Sequence, residues 1–331
     1  INKKFMNDIF LLKILKLLIK SLVNFFHCFE KPEVIKVDNV TYIGQMKTFN
    51  TNKMLFHYFF KELKKPISVL GPYHHKLKCS KFLTKIFGWP HDKADFFLTG
   101  EHAEPRFDLA KKQIGFWLSL KNNKDVYRWP AWMEHLDWSD VSSSISDIDI
   151  KSYEATWYYG MRISINKLMK PILSSYSYDD IKNRKNRSVL ISSHFKKPRD
   201  RFFKITDAII GCDGFGKAFN KQDYGLPKMN ILEKYNFNLC PENLISEGYI
   251  TEKIPHAFHA GCIPISWCDP DTLKEDFNPE AVINLFGLDD KQCKEVLNEL
   301  IENEKVFKKY LSVPLLLKKP QIEPLINFLK D

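Results

Sequence analysis

Residues 237–267, FNLCPENLISEGYITEKIPHAFHAGCIPISW, pass from one short apolar strand to the next through a turn and a single helix. A chain built of such units has few folds open to it, because strands that alternate with helices lie parallel in one sheet. Phe237 to Cys240 reads as the first strand, and Pro241-Glu242-Asn243 breaks it. Thr251 reads as the helix N-cap. Ile254, Ala257 and Phe258 follow at helical spacing, and Gly261 stands at the stop. Cys262 to Trp267 is the next strand. The helix start opens onto the loop with unpaired N–H groups, a setting that suits an anion. That end alone is worth only about 0.3–2 kcal/mol to a charge. Holding a diphosphate needs fixed cations as well, and Lys253 is a candidate.

The same alternation runs along the rest of the chain. Thr41 to Ile43, Ile67 to Leu70, Asp95 to Thr99 and Ile114 to Leu118 read as strands, with Leu55 to Leu63 helical between the first two. The polar, basic run 176–187 reads as a connection between domains. A second series follows: a strand over Ser188 to Ser193, a helix over 199–209 and a strand over Ile210 to Asp213. At 331 residues the chain is long enough for two α/β domains, each with its own core. Their expected spans are 1–175 and 176–331, with ligands in the cleft between them.

A net charge of +10 points to an acidic surface or ligand. Nucleic acid is not the expected partner. Only 7 of the 50 basic residues are arginine, and helix-turn-helix, zinc-finger and RNP-type patterns are missing. Seven cysteines without a Cys-x-x-Cys pair fit a reducing compartment and buried thiols rather than a disulfide framework. Two metal-like patterns, Asp269-Pro-Asp271 and His256 with His259, read as structural, since no third ligand accompanies the histidines. Residues 10–26, FLLKILKLLIKSLVNFF, carry Lys13, Lys16 and Lys20 along one side of a helical wheel. Three central lysines cost more than the apolar residues return on insertion. A basic amphipathic helix lying on an anionic membrane surface, or packed on the protein, is therefore expected in place of a span.

LCPENLISEGYITEKIPHAFHAGCIPISW, followed by CDPDTLKEDFNPEAVIN, resembles the donor-site signature of the α-1,3-fucosyltransferases, glycosyltransferase family 10. That pattern runs approximately Cys-Phe-Glu-Asn, Gly-Tyr-Val-Thr-Glu-Lys, Ala-Phe, Gly-x-Pro-x-x-Trp, Phe-Asn-Pro. FFLTGEHAEPRFDLAKKQIGF (96–116) is similar to the family's Thr-Gly-Glu-Asn segment, and YRWP (127–130) to its aromatic-proline motif. Arg199 precedes Gly216 of CDGFG as the family's arginine precedes its Asp-x-Tyr-Gly turn. Three positions depart from the pattern: Pro241 for Phe, Ser266 for Tyr and Cys268 for Gly. They bear on sugar or base specificity more than on the type of reaction.

The resemblance implies a GT-B-like α/β fold of two Rossmann-type domains facing a central cleft. It further implies inverting transfer of L-fucose from GDP-fucose to a glycan hydroxyl, on N-acetylglucosamine or glucose and in α-1,3 linkage, with no cofactor or metal. Arg199 and Lys253 would stabilise the leaving diphosphate and Glu101 would act as general base, with His102 its rival. Asn243, Tyr249, Thr251 and Glu252 would bind the donor, Glu252 at a sugar diol. Alternatives are another GDP-sugar as donor, or a catalytically silent glycan-binding or membrane-docking protein. The expected location is membrane-associated, at the cytoplasmic face in a bacterium or the Golgi membrane in a eukaryote.

Overall fold

The computed structural model describes residues 33–37, 39–44, 59–60, 63–70, 94–99, 110–115, 124–141, 162–219 and 227–331. The chain divides into two compact units, one formed by 1–49 and 64–114, the other by 50–63 and 115–331. In the first, strands β1 (Glu33–Val37), β2 (Val40–Gly44), β3 (Ile67–Leu70), β4 (Ala94–Thr99) and β5 (Ala110–Gly115) lie side by side in that order. β1 and β2 form an antiparallel hairpin, whereas β2, β3 and β4 are parallel. Asp95 fastens β3 to β4 by accepting from the Ser68 N–H (2.9 Å) and hydroxyl (3.0 Å), and it pairs with Lys111 at 2.8 Å.

The second unit carries short strands β6 (Val126–Arg128), β7 (Leu136–Asp137) and β8 (Ile163–Ser164), the last two paired parallel. After α1 (Ile165–Leu168) and α2 (Tyr178–Lys182) comes its main sheet. That sheet comprises β9 (Lys185–Ile191), β10 (Cys212–Phe215), β11 (Tyr235–Leu239), β12 (Ile263–Ser266) and β13 (Ile283–Asn284). All its pairings are parallel and the order is β10-β9-β11-β12-β13. The helices are α3 (Arg199–Ile209), α4 (Lys228–Leu232), α5 (Lys253–His259), α6 (Pro270–Asp276), α7 (Asp290–Glu302), α8 (Glu304–Leu311) and α9 (Glu323–Lys330).

Sequence explains this arrangement. β11 (YNFNL) is buried along its whole length, as a central strand covered on both faces must be. Of its two buried amides, Asn238 donates to the Val189 carbonyl at 2.7 Å and Asn236 to Asn186 Oδ1 at 3.4 Å. α7 starts at a reciprocal Asp289/Gln292 capping box and buries Cys293, Leu297 and Leu300 at one-turn intervals. Gly261 ends α5 at φ +80°, where a Cβ would meet the Tyr176 ring at 2.7 Å.

Several expectations change here. The run 176–187 forms α2, capped by a Ser177/Asp180 box, and the start of β9. The strand expected at 210–213 lies at Cys212–Phe215, because Gly211 must first turn the chain at φ +79°. The strand expected at 114–118 begins earlier, at Ala110. The membrane-associated location is also corrected. Among the described residues no helix is long and apolar enough to cross a membrane, and α7, the longest there, has 13 residues where a span needs about 20. Residues 10–26 lie outside the described residues, as do 55–58, 61 and 62 of the expected early helix.

Candidate active site

The order β10-β9-β11-β12-β13 reverses direction at β9. From β9 the chain crosses to β10 on one side and returns to β11 on the other. In open parallel sheets such a reversal leaves a crevice outside the carboxyl ends of the two strands, and ligands bind there. In this unit the carboxyl ends of β9 and β11, Ile191 and Leu239, border a small concavity lined also by Arg199, Lys228 and Lys253. A far larger groove, about 820 Å³, runs along α7 and α8 and is lined by Glu295, Glu299, Glu302 and Glu304. Its acidic wall would repel a phosphate, so charge selects the smaller, cation-lined crevice.

Arg199 opens α3, and its guanidinium folds back over the end of β9. Nη1 donates to Ser192 Oγ at 2.9 Å, and Nη2 donates to Asn243 Oδ1. Gly216 permits this anchorage: at φ +90° it lies so close that a Cβ would sit 2.7 Å from the Ser192 carbonyl oxygen. Arg199 Nη1 also donates to the His194 carbonyl at 3.4 Å; these three partners are neutral, so they do not cancel its charge. Burial pulls its pKa down.

Lys253 is the first residue of α5. Its Nζ donates to Glu242 Oε2 and to Thr251 Oγ1, each at 2.5 Å. Glu242 is wholly buried and also accepts from the Thr251 N–H at 2.8 Å and hydroxyl at 2.9 Å. Thr251 is therefore not the N-cap; Glu252 holds that position, without a side-chain cap bond. The reason is the carboxylate nine residues upstream, which takes both Thr251 donors. Burial lowers the pKa of Lys253, but Glu242 and Glu252 outweigh that and hold it above the usual lysine range. For Glu252 burial pushes upward, while Lys253 and Lys228 hold the carboxyl well below its usual range.

Of the residues expected to act, the structure brings Arg199 and Asn243 together, and Thr251 and Lys253 together around Glu242. Tyr249 is buried, at 2 % exposure. Glu101 and His102 lie outside the described residues. Both metal-like patterns have structural employment. Asp269 caps α6 by accepting from the Thr272 N–H (2.9 Å) and hydroxyl (2.7 Å), and the His256 and His259 side chains are buried. Among the described residues no group of three or more His, Cys, Asp or Glu could hold a metal ion. All five described cysteines are free and buried.

Two groups of contacts were not visible in sequence. Lys228 lines the crevice, 3.8 Å from Glu252 and 3.0 Å from His256 Nδ1. Arg128 grips Asp276 with two bonds of 2.8 and 2.7 Å, and its Nη2 donates to the Gly248 carbonyl at 3.1 Å. Trp132 Nε1 also donates to Asp276, at 3.1 Å. From the other side the Gly248 N–H donates to Thr272 Oγ1 at 2.7 Å. The loop that leads into Tyr249 is thus braced on both of its peptide groups.

A parallel α/β unit with cations gathered at its switch point can hold an anionic ligand. Residues 181–313 match the profile of the family described as glycosyltransferase family 10 (fucosyltransferase) C-term. An alpha-(1,3)-fucosyltransferase, FucT, of Helicobacter pylori is 31% identical over 205 residues, 61% of this chain. The match covers 42% of that relative, so the chain spans less than half the length of the curated protein it matches. Three crystal structures of alpha1,3-fucosyltransferase share the fold. The first has a TM-score of 0.62 at 20% identity, covering 86% of this chain and 84% of that one. The second, with GDP-fucose, has 0.56 at 21%, covering 80% and 89%. The third, with GDP, has 0.58 at 19%, covering 86% and 84%.

Proposed function

We propose that this protein is an inverting fucosyltransferase that moves L-fucose from GDP-fucose to a hydroxyl of a glycan acceptor, in α-1,3 linkage. One observation carries the reading: Arg199 and Lys253, both within the segment 181–313 that matches the family profile, reach the same crevice at the switch point of a parallel sheet. A leaving diphosphate gains negative charge in the transition state, and fixed cations beside it stabilise that charge more than they stabilise the bound donor. Arg199 offers two N–H groups in a planar fork; Lys253 offers a point charge.

The rest of the reading follows the same chemistry. Asn243 fixes the Arg199 fork through its side-chain oxygen. Glu252, kept ionised, accepts from hydroxyls of the sugar, and Tyr249 and Thr251 shape the donor pocket. Glu101 follows β4 and takes the acceptor proton as the glycosidic bond forms, so one displacement inverts the anomeric centre with no covalent intermediate. The fold is the GT-B-like pair of Rossmann-type domains, with the acceptor held by the half before about residue 176 and the donor by the half after it. No cofactor or metal takes part in this scheme.

The test is incubation with a panel of nucleotide sugars and a glycan array, with nucleotide release measured. GDP release from GDP-fucose alone, dependent on a glycan, is expected. Release from a different GDP-sugar would transfer the reading to that donor, and none from any would leave a glycan binder. In the same assay Glu101→Gln should turn over at least about a hundredfold more slowly with unchanged donor affinity. Unchanged turnover would place the base elsewhere.

A further inference from the structure

We propose that Lys228 is a third cation of the donor crevice, contacting the diphosphate of the nucleotide beside Arg199 and Lys253. This rests on the donor reading above and extends it to a residue outside the sequence motifs. The topology puts Lys228 there. It is the first residue of α4, the helix that leads back to β11, so it sits at the carboxyl edge of the sheet. Its side chain is only 11 % exposed and lines the same concavity as the other two cations.

Burying an ammonium is costly, and a protein keeps one only where partners or a ligand compensate. Glu252 and His256 are among the partners that hold this one. Glu252 Oε1 lies at 3.8 Å, and His256 Nδ1 at 3.0 Å. The second is informative. Burial and then Lys228 hold His256 well below the usual imidazole range, so the ring is neutral and accepts at Nδ1. The edge-on His135 ring, 5.2 Å away, packs behind it. A neutral acceptor orients the ammonium without cancelling its charge, where a second carboxylate would have cancelled it. Among the described residues Arg199, Lys228 and Lys253 line this one concavity, beside Glu242 and Glu252, and three cations so gathered point to a ligand that carries more than one negative charge.

The experiment compares GDP with guanosine, which lacks phosphates, by calorimetry and competition on the full chain. Lys228→Met should weaken GDP roughly 10- to 100-fold, the size of one lost charge-assisted hydrogen bond, and leave guanosine within about twofold. Should Lys228→Met fail to fold, Lys228→Met with Glu252→Gln removes the cation and its carboxylate together. GDP carries no fucose, so loss of Glu252 from the sugar side does not confound that reading, and the same selective loss is expected. GDP affinity within about twofold of wild type in a folded variant overturns the inference. So does an equal loss for both ligands, which marks Lys228 as a support of the fold. A wild-type protein that binds GDP no better than guanosine fails the donor reading itself, before any variant is made.

Discussion

At the ends of β9 and β11, Arg199, Lys228 and Lys253 face two carboxylates, Glu242 and Glu252. Behind the loop at Gly248, by contrast, a single arginine, Arg128, meets Asp276 in a two-pronged pair, with Trp132 filling the carboxylate's remaining site. Both regions bury charge. The brace closes its charges on each other, and Arg128 and Asp276 are only 14 % and 4 % exposed. The crevice gathers three cations and satisfies Arg199 with neutral oxygens. A closed pair serves the fold, whereas the crevice's cations are proposed to serve a ligand. That difference separates two clusters that look alike by composition.

Breaking each region sharpens the contrast. The largest effect is expected in the brace. Arg128→Ala or Asp276→Ala strands a buried charge and should cost about 3–5 kcal/mol of stability. The double variant should cost clearly less than the sum of the two, since neither charge is then stranded. Urea unfolding decides it, and additive losses would deny the pairing. In the crevice, Arg199→Ala and Lys253→Ala should each lose about 2–4 kcal/mol of transition-state stabilisation in kcat/KM with GDP-fucose. Their stabilities should part. Arg199→Ala leaves neutral oxygens of Ser192, His194 and Asn243 behind, whereas Lys253→Ala strands Glu242. Equal unfolding midpoints for the two would contradict this account of the site.

The smallest expected effect is a pH dependence. Glu134 is half-buried with one carboxyl oxygen shut from solvent and unpartnered, and burial raises its pKa to about 8. A raised carboxyl pKa means the folded state holds its proton where the unfolded chain has released it. The associated stability is complete below the ordinary value of 4.5 and is lost as pH rises towards 8. Glu134→Gln removes the titration, so the variant should gain on wild type in Tm from pH 5 to pH 8. His135 works in the opposite sense. Burial lowers its pKa to about 4, so its stability is present above 6.5 and lost as pH falls towards 4. A Tm gap between Glu134→Gln and wild type that stays constant with pH would leave Glu134 ionised in the folded protein.

Local grammar revealed much of this molecule. Alternation of apolar runs with helical periods placed β9, β11, β12, α3 and α5 close to their observed positions, because each is governed by neighbours within a turn or a strand. The Ser177-x-x-Asp180 box that makes α2 a helix was present in the sequence and was outweighed by the polar composition around it. What escaped depended on distance along the chain. Thr251 reads as a cap until Glu242 takes its donors. Arg128 finds Asp276 across 148 residues, and no periodic signal spans that interval. Lys228 was one lysine among 43 in a chain with few arginines. Only the reversal of strand order at β9 shows that it shares a crevice with Arg199.

The central claim is that the crevice at the ends of β9 and β11 holds the diphosphate of GDP. A crystal structure of this protein with GDP tests it most directly. The account predicts phosphate oxygens within hydrogen-bond distance, about 2.7–3.2 Å, of Arg199 and Lys253 at that switch point. A diphosphate bound elsewhere in the molecule, with these two side chains making no contact to it, would contradict it.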